Sequence, residues 1–78
     1  MPRYFLDIRR NGIRLDDRRG VECPDENSAR NEALRTAREL MGNHKEVDVS
    51  DWSFEIIDAH RRPVMTVLFS EADRGRTR

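Results

Sequence analysis

Short segments of alternating apolar and polar side chains constrain the fold of this 78-residue chain more than any other feature. Alternation with a period of two residues is typical of a strand with one buried face. It occurs at residues 4–8, 52–57 and 64–69. Asn11-Gly12 follows the first segment and is a strong hairpin signal, because both residues tolerate the positive φ of a tight turn. A second strand is therefore predicted at 13–15, and Val21 to Cys23 extends toward Pro24.

One segment has helical periodicity. Asp25 follows Pro24 and can accept hydrogen bonds from the first N–H groups of a helix, which we predict to run to about Met41, with Gly42-Asn43 as its stop signal. Its apolar face comprises Ala29, Ala33, Leu34, Ala37, Leu40 and Met41. The predicted fold is α+β in the order β-β-α-β-β, a four-stranded, mainly antiparallel sheet with one amphipathic helix on one face. The order of the strands in the sheet stays open.

The apolar content limits the size of the core. Leu, Ile, Val and Phe together number 17 of the 78 residues, so the sequence predicts one small domain at 1–69. Residues 70–78 contain no large apolar side chain and are predicted to form a flexible charged tail. A single cysteine excludes an intrachain disulfide and favours a reducing compartment, and no apolar run approaches the ~18 residues of a membrane span. We expect a cytoplasmic protein.

Four segments resemble a family of short bacterial domains of unknown function. They are Met1 to Phe5, Gly20 to Asp25, Glu32 to Leu40 and Val64 to Phe69. Members of that family typically carry an aromatic-His pair near Leu6-Asp7, a Gly near Arg62 and a Pro near Leu68, and this chain has none of them. No role of the family histidine is therefore carried over to Asp7. The resemblance implies a compact α+β domain and no established activity.

The residues that commonly carry chemistry are few and scattered. Cys23 lies just before the predicted helix, where the helix dipole can activate a thiol, but packing in the core is the favoured interpretation. His44 and His60 lie in predicted turns, and Asp16-Asp17 and Asp48 to Asp51 lack the spacing of a calcium loop. The sequence therefore predicts no enzyme, no metal site and no cofactor.

One helix cannot cover both faces of the predicted sheet. Alternation places five side chains on the face away from the helix, which we call the underside: Phe5, Ile57, Val64, Thr66 and Leu68. A group of apolar residues on one face indicates a contact patch, and a second copy of the chain is the favoured partner because the core is so thin. The leading interpretation is a cytoplasmic protein-interaction domain that forms a homodimer, with an unidentified protein partner as an alternative.

Nucleic-acid binding is the other class of function considered. Fifteen basic residues balance fifteen acidic ones, which disfavours a general nucleic-acid binder. Arginines nevertheless cluster toward the C-terminus, where Arg61, Arg62, Arg74 and Arg76 are candidate phosphate contacts. Phe5 is a candidate for stacking on a base. This alternative ranks below protein interaction.

Overall fold

The computed structural model describes residues 1–43, 48–49 and 51–76. Its elements are β1 (Arg3–Arg10), β2 (Ile13–Leu15), β3 (Val21–Glu22), α1 (Glu26–Asn43), β4 (Ser53–Ile57), β5 (Pro63–Leu68) and α2 (Phe69–Arg76). The predicted α+β class is confirmed, with a short third strand and a second helix added. Neither helix of this described part is long and apolar enough to cross a membrane.

The β1–β2 hairpin forms where the sequence predicts it. Asn11 and Gly12 have φ values of 51° and 79°, and they join Arg10 directly to Ile13 in an antiparallel pair. Two consecutive residues with positive φ give a turn whose twist matches that of the flanking strands.

β1 lies inside the sheet and organises the rest of it. The strand order is β2-β1-β4-β5, and β3 pairs with the first part of β1. Since β4 occupies one edge of β1, β2 and β3 lie one after the other along its opposite edge. β3 and β4 are both antiparallel to β1 and hence parallel to each other, which is why a helix must carry the chain between them.

α1 begins at a side-chain cap and packs through alanines. Asp25 Oδ1 accepts a hydrogen bond from the Ser28 backbone N–H at 2.8 Å. Ala29, Ala33 and Ala37, four residues apart, are fully buried. Their small side chains allow the helix axis to approach the sheet, and α1 lies over β4 and β5 rather than over β2. The helix ends two residues beyond the predicted Met41, at Asn43.

The C-terminal part of the chain departs from the prediction. The alternation of Met65, Val67 and Phe69 predicts a strand through residue 69, but β5 ends at Leu68 and Phe69 is the first residue of α2. Phe69 and Ala72 are fully buried, and their three-residue spacing places both on one side of a helix. Much of the predicted tail is therefore helix, because the buried side chain of Phe69, just before the tail, anchors the first turn of α2 in the core.

Gly20 stands where the chain returns to β1, and we expect Gly20→Ala to destabilise the protein by about 1–3 kcal/mol. Its φ is +74°, and a Cβ would lie 2.9 Å from the Tyr4 carbonyl oxygen and from the Phe5 ring. Gly42→Ala is the matched control, because a Cβ there meets nothing within 4 Å. It should leave stability unchanged or raise it by about 0.5–1 kcal/mol. Urea denaturation measures both, and equal effects would contradict the close approach at Gly20.

Candidate functional site

The five predicted interface residues differ widely in exposure. Phe5 is half-buried, with the Arg61 guanidinium 4.9 Å from the centre of its ring. Ile57 is only 3% exposed, and Val64, at a bulge in the β4–β5 pairing, is half-buried and packs against the core. Thr66 is exposed and Leu68 is 45% exposed. Among these five, Leu68 alone is an exposed large apolar side chain.

A network of charged side chains occupies the centre of the underside. Asp7 is fully buried, although it lies on the face away from both helices. Its Oδ2 accepts hydrogen bonds from Arg14 Nη2 at 2.9 Å and Arg14 Nε at 3.3 Å. Arg14 also lies 3.2 Å from Glu55 and 3.6 Å from Asp16. The Arg14 side chain therefore covers Asp7 and links β1, β2 and β4 across the sheet.

Asp17 fixes the loop between β2 and β3 to the edge of β1. Its backbone N–H donates to Asp7 Oδ1 at 2.8 Å, and its Oδ2 accepts from the Leu6 N–H at 3.0 Å. Its Oδ1 accepts from the N–H groups of Arg19 and Gly20. The Asp17 carboxylate therefore binds the Leu6 N–H, which lies on the part of the β1 edge that neither β2 nor β3 reaches. These long-range contacts of Asp17 are not predicted by any local sequence pattern.

A cleft of about 560 Å³ opens on the helix side of the sheet, between α1 and the edge formed by β2 and β3. We call it the α1–β2 cleft. Its floor is apolar and consists of Leu6, Ile8, Leu15, Val21 and Phe54. Its rim is polar and carries charges of both signs, from Asp16, Asp17, Arg19, Glu32 and Arg35. An apolar floor inside a mixed polar rim is the usual anatomy of a protein-binding surface.

The two apolar side chains of β2 are exposed at this cleft: Leu15 is part of its floor, and Ile13 lies two residues away on the same strand. Ile13 is 57% exposed and Leu15 is 42% exposed. Leu15 pairs with Ile8, and Ile13 pairs with Arg10. The side chains of both pairs lie on the helix side of the sheet. α1 lies mainly over β4 and β5, and it leaves Ile13 and Leu15 exposed. The alternation of side chains does not predict this surface, because alternation does not show which part of the helix-side face α1 leaves uncovered.

The α1 side of the cleft carries fixed charges. Arg35 Nη2 lies 2.6 Å from Glu32 Oε2, and Arg35 Nη1 lies 3.1 Å from Glu39 Oε2. The hydrogen bonds from Arg35 lower the pKa of Glu32, and Glu32 in turn raises the pKa of Arg35. The two ion pairs have the three- and four-residue spacings typical of pairs on a helix surface. Glu32 and Arg35 therefore remain charged near neutral pH.

Cys23 is a core residue in the structure. It is buried, and burial raises the pKa of its thiol, with further contributions from the carboxylates of Glu32 and Asp25. A protonated thiol is a poor nucleophile. His60 is exposed, and its backbone N–H donates to Asp58 Oδ1, while His44 lies outside the described residues. Within the described residues no group of three or more His, Cys, Asp or Glu is arranged to hold a metal ion.

The candidate phosphate contacts belong to two parts of the fold, the turn between β4 and β5 and the helix α2. Arg61 has a φ of 65° and lies over the Phe5 ring, and Arg62 is exposed, 4.0 Å from Asp58. Arg74 and Arg76 belong to the last part of α2. The ring proposed to stack on a base is therefore already in contact with an arginine of its own chain.

Acid should weaken the β4–β5 turn through Asp58. Backbone N–H groups of Arg62 and His60 lower the pKa of Asp58 in the folded state. The contribution of Asp58 to stability is therefore complete above the pKa of an aspartate in the unfolded chain, about 3.9. It is lost as the pH falls through the lower pKa of Asp58 in the folded state. We expect Asp58→Asn to lose less stability between neutral pH and about pH 3 than the wild type. Urea denaturation at both pH values tests this, and an equal loss in both proteins would contradict it.

Comparison with known proteins identifies a family but no function. A family model described as "Domain of unknown function (DUF6894)" matches residues 3–70. No curated protein and no solved structure matches the chain.

Proposed function

The chain belongs to the DUF6894 family of domains of unknown function, and we propose that this member is a protein-interaction domain that binds through the α1–β2 cleft. The observation that carries the proposal is the exposure of Leu15 in the floor of the cleft and of Ile13 two residues away on the same strand. Removing apolar surface from water contributes about 25 cal/mol per Å², so a partner that covers these side chains gains affinity. The mixed charges of the rim supply the orientation of that partner.

The shape of the surface favours a polypeptide as the ligand. The cleft is bounded on one side by a helix and on the other by a short edge strand. An edge strand offers unpaired backbone groups to an incoming extended segment, whose alternate side chains can then occupy the neighbouring apolar floor. Binding rather than catalysis is also supported by the buried Cys23 thiol and its raised pKa.

Nucleic-acid binding is the weaker candidate. It relies on arginines of the β4–β5 turn and of α2, and on Phe5, whose ring already contacts Arg61. A titration with generic single- and double-stranded oligonucleotides at low salt distinguishes the two functions. Binding that weakens steeply with added salt would support the nucleic-acid alternative.

Site-specific photo-crosslinking in the native cell lysate tests the proposed surface. A photoreactive amino acid replaces Leu15 in one protein and Leu68 in another, two leucines of nearly equal exposure on opposite faces of the sheet. We expect covalent protein adducts from position 15 and few from position 68. Adducts mainly from position 68 would assign the interface to the underside instead. The absence of adducts at both positions would overturn the proposed function.

A further inference from the structure

At the centre of β2, one residue directs both its backbone N–H and its backbone C=O toward the open edge of the sheet. In a hairpin closed by a two-residue turn, the residues that flank the turn form a hydrogen-bonded pair, which here is Arg10 and Ile13. Hydrogen-bonded and non-hydrogen-bonded pairs alternate along an antiparallel ladder. Arg14, opposite Arg9, therefore directs its N–H and C=O away from β1, toward the open edge.

The opposite edge of the sheet is protected. β5 begins at Pro63, which has no N–H to donate. At its other end the Leu68 N–H already donates to Glu71 Oε2 at 3.0 Å. A proline and a side-chain acceptor at the two ends of an edge strand hinder the addition of a further strand. β2, whose three residues are all exposed, is the edge open to pairing.

Self-pairing of β2 gives the outward backbone groups of Arg14 hydrogen-bond partners, and it uses the edge of the sheet that is open to pairing. If two copies meet antiparallel about a two-fold axis at Arg14, the two Arg14 residues exchange two backbone hydrogen bonds. Ile13 of each copy then lies opposite Leu15 of the second copy, on the helix side of the joined sheets. Each exposed apolar side chain of β2 thereby acquires an apolar neighbour at the mouth of the α1–β2 cleft.

Charge on the underside also suits this arrangement. The symmetric register brings two Arg14 side chains close together, which is unfavourable for isolated guanidinium groups. Each Arg14, however, lies within 3.6 Å of the carboxylates of Asp7, Asp16 and Glu55. Carboxylates outnumber guanidinium groups in this cluster even when Arg9, 3.6 Å from Glu55, is included. The surplus negative charge of one copy therefore attracts the Arg14 of the other.

We propose that the partner of the α1–β2 cleft is a second copy of this chain, joined by antiparallel β2–β2 pairing centred on Arg14. This inference rests on the proposed function, since it names the occupant of that same surface. Three paired residues on each side form a small interface, so the dimer belongs to the weak, concentration-dependent class.

Sedimentation equilibrium over a wide range of concentrations tests the dimer. The wild-type mass should rise toward twice the monomer mass, and Leu15→Lys should raise the dissociation constant about tenfold or more. Leu68→Lys, at nearly equal exposure on the underside, should leave it unchanged. A wild type that stays monomeric would overturn the self-pairing, and so would equal weakening by both variants. The crosslinking at position 15 then decides separately whether the cleft binds a different protein.

Disulfide trapping with oxidised glutathione tests the register. A mixture of Ile13→Cys chains and Leu15→Cys chains should form covalent heterodimers readily, because these two positions face each other across the proposed β2–β2 pair. Ile13→Cys chains alone should link far less, and the wild type, whose single Cys23 is buried, is the blank. Equal linking of Ile13→Cys alone and of the mixture would overturn the Arg14-centred register.

Discussion

We expect Arg14→Met to lower the free energy of unfolding by about 3–5 kcal/mol, because it leaves the fully buried Asp7 carboxylate without its cation. Methionine keeps much of the apolar stem of arginine, so the loss reports on the guanidinium group. That group donates two hydrogen bonds to Asp7 and lies 3.2 Å from Glu55. Urea denaturation at low protein concentration, where self-association does not contribute, measures the effect.

Two further variants identify the cause of this loss. Arg9→Met removes an exposed arginine 3.6 Å from Glu55 and should change stability by less than about 0.5 kcal/mol. The double variant Asp7→Leu/Arg14→Met removes both members of the buried pair, and should be more stable than Arg14→Met alone. If Arg9→Met and Arg14→Met cost the same, the Asp7 carboxylate is not held by Arg14 as the structure shows.

Phe69→Ala should cost about 3–5 kcal/mol, a large share of the stability of a domain of this size. Phe69 is fully buried, with its ring stacked at 4.9 Å on Phe54 and in edge contact with Trp52 at 5.6 Å. It begins α2, so its removal should also weaken the packing of that helix on the core.

Leu68→Ala provides the neighbouring control for Phe69→Ala. Leu68 is 45% exposed, and its truncation should cost no more than about 1 kcal/mol. Thermal unfolding followed by circular dichroism measures both variants, and the loss of α2 should also reduce the helical signal of Phe69→Ala. Similar melting temperatures for the two variants would contradict the central position of Phe69.

Local sequence signals predict the elements that depend on neighbouring residues. The Asn11-Gly12 turn, with positive φ at both positions, depends only on residues that tolerate that conformation. The cap of α1 likewise depends on Asp25 and the N–H of Ser28, three residues away. Both are therefore visible in the sequence before any tertiary contact is known.

The candidate site depends on contacts that the sequence does not reveal. β2 becomes an edge strand only because β4, far along the chain, pairs with the other side of β1. Its exposed Leu15 follows from that order and from the position of α1 over β4 and β5. The burial of Asp7, a charged residue in a strand, follows from Arg14 and from Asp17 in the next loop. Period-two alternation assigns these side chains to a face but does not tell which part of that face is covered.

Amide hydrogen exchange at Arg14 tests most directly whether the β2 edge is an interface. In the monomer this N–H faces the open edge and should exchange rapidly, whereas the N–H of Ile13 faces β1 and serves as a protected internal reference. We expect exchange at Arg14 to slow as the protein concentration rises, and to remain fast in Leu15→Lys. Rapid exchange at Arg14 at every concentration, with Ile13 protected throughout, would contradict pairing of β2 with a second copy.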